Sequence, residues 1–176
     1  MKAVHRFGQT FITWREISDP VGQDEIKWGQ LKPILANLDQ KNRLRYCVYR
    51  HTRRITAKNL HQTDLIAAVK PLSCWNVNAR NIDRPVDTYI ATAKGLMTGH
   101  GNPFGGASID GKFGRDCPVE RFAIKDGDQP LPRGTGLYVH TLVVTKQMLR
   151  PAYYAVVTSV NGVQNTRDVS DKNTTG

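Results

Sequence analysis

Cysteine is scarce in this chain of 176 residues, which carries three. Cys47, Cys74 and Cys117 match no metal-ligand spacing, and their odd number leaves at least one unpaired. A Cys74–Cys117 bridge is open to an extracellular chain, and spacing alone does not establish it. No apolar run approaches the roughly 18–20 residues that a membrane helix needs. The start, Met1–Gly8, lacks the hydrophobic stretch of a signal peptide, so the chain reads as cytosolic or as a piece of an exported protein. Acidic residues are in deficit. Against 25 Lys and Arg stand 15 Asp and Glu, a net +10. Such a charge suits nucleic acid, an acidic polysaccharide or an anionic surface, or serves solubility alone. Internal repeats and low-complexity tracts are absent, while the ordinary apolar fraction argues for a globular fold with its own core.

What is present is organised around Arg150–Asn165. Tyr154–Val160 is β-branched, aromatic or small, and Asn161-Gly162 then supplies a tight turn, so the stretch predicts a strand closed by a hairpin. Neither of its faces carries charge, which predicts a central strand covered on both sides.

Along the rest of the chain, Gln9–Trp14 predicts a strand anchored by Trp14. Trp28, Leu31, Ile34, Leu35 and Leu38 predict a short helix from near Leu31, with Pro33 in its first turn. Arg43–Arg50 alternates, with Leu44, Tyr46 and Val48 expected inward and Arg43, Arg45, Cys47 and Tyr49 outward. Thr56 is the expected N-cap of a helical turn over Ala57–Gln62. Asp64–Lys70, Leu137–Val144 and a weak Val163–Val169 read as further strands. Leu72–Arg133 holds most of the glycines and shows regularity only at Thr88–Lys94 and Val119–Lys125. It is expected to be a large irregular insertion that covers the strand near Tyr154.

Three segments together resemble strands B, C and F of a fibronectin type III domain: the strand ending in Trp14, Arg45–Arg50, and Tyr153–Gly162. The resemblance covers Val4–Trp14, Leu44–Lys70 and Gly134–Val169. It implies an all-β fold, a fibronectin type III-like antiparallel β-sandwich with a long B–C loop carrying a short helix and a large irregular insertion. Tyr153 or Tyr154 would hold the family's tyrosine position, Gly134–Thr141 would be strand E and Val163–Val169 strand G. One domain over residues 1–170, with residues 72–133 inserted and residues 171–176 a linker or tail, follows from this. The combination also looks like divergent modules of large exported bacterial proteins. That implies an extracellular or cell-surface location and no catalysis of its own.

Motifs with chemical potential are few. Gly95–Gly106 is glycine-rich but lacks a Gly-Lys-Ser/Thr ending, so a structural or partner-contacting loop is favoured over a phosphate loop. Ser108, His100 and Asp110 lie close in sequence without a nucleophile elbow. His5, His51, His61, His100 and His140 show no ligand spacing. Asp19, Asp24 and Glu25, and separately Asp126 and Asp128, match no calcium loop. The basic run gives a candidate anion or partner patch, Arg43, Arg45, Tyr49, Arg50, Arg53 and Arg54, to be weighed against a solvated sheet face. Asn173-Thr174-Thr175 is a glycosylation sequon. The resulting expectation is a structural or interaction module: a spacer, an adhesion unit or a self-assembling filament subunit. Its partner would be a protein or copies of itself, with no cofactor, no metal and no membrane insertion. A carbohydrate-binding accessory module using Trp28, Trp75 and Tyr89 is the alternative, as is a polyanion binder, with nucleic acid disfavoured.

Overall fold

Strand alternation puts Thr10, Ile12 and Trp14 on one face, and all three are buried. The computed structural model of the chain describes residues 1–6, 8–41, 43–75, 89–92, 95–98, 118–125, 127–141 and 152–175. In chain order the elements are β1 (Lys2–Arg6), β2 (Gln9–Arg15), β3 (Ile26–Lys27), α1 (Trp28–Lys41) and β4 (Arg45–His51). A 3₁₀ turn (Leu60–Gln62) and β5 (Asp64–Val69) follow, then β6 (Tyr89–Thr92), β7 (Gly95–Thr98), β8 (Pro118–Val119) and β9 (Phe122–Ala123). The last three are β10 (Thr135–Thr141), β11 (Tyr153–Val160) and β12 (Val163–Gln164). The architecture is mainly antiparallel β-sheet with one α-helix. Two compact units divide it. The first is Met1–Arg15, Leu38–Pro71 and Gly136–Gly176, and the second is Glu16–Asn37 and Leu72–Thr135.

The first unit contains a three-stranded sheet in the order β1-β2-β10 and a four-stranded sheet in the order β12-β11-β4-β5. Ile12 and Trp14 of the former pack on Leu44, Tyr46, Val48, Val69, Tyr154 and Val156. The Trp14 and Tyr46 rings lie 5.4 Å apart at a tilt of 47°, the offset geometry that aromatic quadrupoles favour. β4 and β11 run antiparallel with Tyr46 opposite Thr158 and His51 opposite Tyr153.

The strand around Tyr154 is indeed covered on both sides, with Ala155 and Val157 as buried as Tyr154 and Val156. Cys47 and Tyr49, expected to face outward, are also buried, at 4% and 7% exposure. The reason is the hook after β4, which brings Ile55 and Leu60 over Cys47, Tyr49, Ala155 and Val157, with Tyr153 and Val169 at the margin. Ile55, Leu60 and Val169 cover this face, and most of Leu72–Arg133, the expected cover, lies outside the described residues. Within the hook, Asn59 Oδ1 accepts from the Thr56 N–H at 2.7 Å, and the helical turn shrinks to Leu60–Gln62. Asn59, not Thr56, organises it.

β11 ends in the expected turn, where Asn161 (φ 51°) and Gly162 (φ 84°) both take the left-handed conformation that a type I′ hairpin requires. β12 stops at Gln164, well short of the expected Val169. Its remaining ladder positions are taken by the polar ending, which is docked on the sheet. Val156 N–H donates to Asn173 O at 2.9 Å, Thr175 N–H donates to Tyr154 O at 2.9 Å, and Thr174 is buried. Asn173 ties this strap down: Nδ2 donates to the carbonyls of Val156 (3.1 Å) and Asp168, and Oδ1 accepts from the Ser170 N–H at 2.8 Å. Asn173→Ala is expected to cost about 1–3 kcal/mol and to raise hydrogen exchange at Val156 and Thr175 in preference to β4.

β1 has no apolar stripe in its Lys-Ala-Val-His-Arg sequence, because it is an exposed edge strand that, among the described residues, pairs only with β2. The helix begins three residues before Leu31. Gln30 Oε1 accepts the Lys27 N–H at 3.1 Å, the backward half of a capping box, so Pro33 falls inside the helix. In the second unit β3 pairs with β8, and β6 lies between β7 and β9. Among the described residues no helix is long and apolar enough to cross a membrane.

Candidate functional site

The turn Pro71–Trp75 places Leu72 at φ 62°, a left-handed conformation that costs a bulky L-residue free energy. The Trp75 N–H closes the turn on Leu72 O at 3.0 Å, and the Phe122 N–H then bonds Cys74 O at 2.8 Å. Glu16 holds this turn through its backbone. Both of its carboxylate oxygens accept the Leu72 N–H, at 2.9 and 3.0 Å, and its own N–H donates to Gly134 O at 2.7 Å.

Burial pushes the Glu16 carboxyl up to about 7, outweighing the Leu72 and Ser73 N–H groups that stabilise its charge, with Asp19 adding repulsion. The adjacent Cys74 thiol is pushed up to about 12, first by burial and then by the Glu16 charge. A thiol so held stays protonated at neutral pH and is a poor nucleophile. The Arg121 guanidinium lies 5.2 Å from the Trp75 ring centroid and pairs with Asp24 at 2.6 Å. Arg133 lies 3.8 Å from Asp19 and 3.7 Å from Asp24. The arrangement anchors a strained turn and holds one exchangeable proton near neutrality. Nothing in the residue pattern around Glu16 advertised this, because a single Glu after a strand is ordinary in sequence.

The expected basic patch is not one surface. Arg45 is paired with Asp39, which also binds Lys70 at 2.9 Å. Tyr49 is buried, with its hydroxyl donating to Gln164 Oε1. Arg54 is exposed and paired with Asp171 at 2.6 Å. Arg43 and Arg53 are exposed, and Arg50 is half-buried on the inter-sheet face. Alternation along β4 separates these residues between two faces, and the hook after it takes Arg53 and Arg54 away.

Trp75 is fully buried and Trp28 is 9% exposed, so neither offers an open face to a sugar ring. The Tyr89 side chain lies outside the described residues, as do Ser108, His100, Asp110, Asp126, Cys117 and most of Gly95–Gly106. The candidate Cys74–Cys117 pairing therefore rests on an undescribed partner, and Cys74 itself is a free thiol. Asp19 and Asp24 meet Arg133 and Arg121 rather than a cation site, and no group of three or more His, Cys, Asp or Glu among the described residues is arranged to hold a metal. His5 contacts Thr10 Oγ1 at 3.2 Å and His140 contacts the Tyr154 hydroxyl at 3.1 Å. Asn173 Nδ2, the atom a glycan would take, has both hydrogens engaged in the strap. Compared with family models, with curated proteins and with solved structures, the chain matches none.

Proposed function

We propose that this chain is a non-catalytic structural and interaction module, fibronectin type III-like in build, that works at a cell surface or outside the cell by joining its sheet edges to other strands. The strand order supports the fold reading. Sheets ordered β1-β2-β10 and β12-β11-β4-β5, with Trp14 and Tyr154 in a shared core, follow the layout that the resemblance implies.

One observation carries the functional reading. β5 ends its sheet with the sequence Asp-Leu-Ile-Ala-Ala-Val, Leu65 is 52% exposed, and among the described residues nothing pairs with its outer side. Its register breaks opposite Val48/Tyr49, and the Tyr138 hydroxyl donates to the Ile66 carbonyl at 3.4 Å, so the edge is bent and partly protected near Asp64. Toward Val69, no described strand pairs with its outer side. Such an edge offers main-chain hydrogen bonds to an added strand. The strand most readily available is that of another copy of the chain.

Sedimentation velocity across a wide concentration range tests this. Self-association that weakens at least about tenfold in Ala68→Lys, an exposed position in the run toward Val69, with stability changed by less than about 0.5 kcal/mol, is the expected result. A strict monomer at the highest concentration removes the self-assembly reading.

A further inference from the structure

Alternation along β4 places Arg50 on the face of Tyr46 and Val48, directly opposite Tyr154 of β11. This is the face that packs against Ile12 and Trp14. Arg50 Nε is fully buried, and among the described residues it has no hydrogen-bond partner. Asp64 stands across the ladder from Arg50, is itself exposed, and forms no ion pair with it within 4.0 Å. A buried guanidinium N–H without an acceptor is costly, and the cost is relieved by an anion.

The neighbours are suited to one. His140 is held between Tyr138, which stacks on it at 6.4 Å and 20°, and Tyr154, whose ring meets it edge-on at 5.8 Å. Its Nδ1 is 3.1 Å from the Tyr154 hydroxyl. If the Tyr154 O–H donates to Nδ1, the ring proton must sit on Nε2, which then becomes a second donor. Burial first and the Arg50 charge second hold the imidazole below its ordinary range, so it is neutral when the guanidinium stands alone.

We infer that this end of the inter-sheet core is a carboxylate-binding site, with Arg50 Nε and His140 Nε2 donating to the carboxylate and Tyr154 fixing the imidazole tautomer. Arginine's planar fork matches a carboxylate better than it matches a spherical anion. The site does not depend on the edge-pairing function proposed above, and either can fail alone.

The probe is acetate, titrated against chloride at constant ionic strength, with the His140 imidazole resonance followed by NMR as a function of pH. His140→Gln assigns the signal. Acetate is expected to raise the His140 pKa saturably by about one unit, with chloride ineffective. In Arg50→Gln the acetate response is expected to vanish, while the acetate-free pKa rises because the repelling charge is gone. Should Arg50→Gln fail to fold, Tyr154→Phe takes its place and is expected to weaken acetate binding roughly threefold or more. No acetate shift, an equal chloride shift, a response that survives Arg50→Gln, or unchanged affinity in Tyr154→Phe would each overturn the assignment.

Discussion

Gly136→Ala is expected to destabilise the first unit by about 3 kcal/mol or more, a large share of the roughly 5–15 kcal/mol that holds a typical domain folded. A methyl group built on Gly136 would stand 2.1 Å from Trp14 Cε2, 2.3 Å from Nε1 and 2.4 Å from Cζ2. The indole has nowhere to go, because it is buried and packed against Tyr46. The glycine therefore serves close approach rather than an unusual backbone angle. Gly8→Ala is the contrasting control. Its added Cβ meets nothing within 4 Å and pays only for φ 76°, about 1 kcal/mol. Denaturant midpoints followed by tryptophan fluorescence separate the two. A Gly136→Ala midpoint within about 0.5 kcal/mol of the parent would mean that the indole does not lie against β10.

Glu16 gives the second large effect, and it is one of pH. Its folded value of about 7 lies above its ordinary 4.5, so the folded state binds the proton more tightly than the unfolded chain does. The stability it contributes is fully present below about 4.5 and is lost as pH rises toward 7, a change of about 3 kcal/mol. Stability of the second unit is therefore expected to be higher at about pH 5 than at about pH 8, and Glu16→Gln is expected to flatten the profile. His140 works in the opposite sense. Its depressed value makes its contribution fall as pH drops below the ordinary histidine range. The difference between parent and Glu16→Gln isolates the carboxyl. Parallel profiles would show that the Glu16 side chain is solvated.

The strands that carry the first core were readable because their alternation is strong. Trp14, Tyr46, Val48 and the Tyr154–Val160 run declare their faces through side-chain type, and Asn161-Gly162 declares its turn. Cys47 and Tyr49 could not be placed, since their cover comes from Ile55 and Leu60, two residues in an aperiodic loop. β1 carries no signal because edge strands need no apolar stripe, and α1 starts three residues before the expected Leu31 because a Gln30 side chain, rather than Ser, Thr or Asp, caps it. The basic run was visible as composition, but alternation and a loop divide it. The Glu16–Leu72 anchor was invisible, because it depends on a left-handed leucine brought beside a strand end by the fold. Single titratable residues disclose their environment only through three-dimensional neighbours.

The middle of the four-stranded sheet has a consequence for biosynthesis. β4 leaves the ribosome with apolar side chains on both faces, yet its partner β11 is translated near the other end of the chain. Until then β5 is its one ladder partner among the described residues, so the other edge of β4 waits unpaired in the nascent polypeptide while everything between is made. Long-range pairing of this kind folds slowly and exposes sticky intermediates. The cell producing this protein would gain from a holdase acting over that interval.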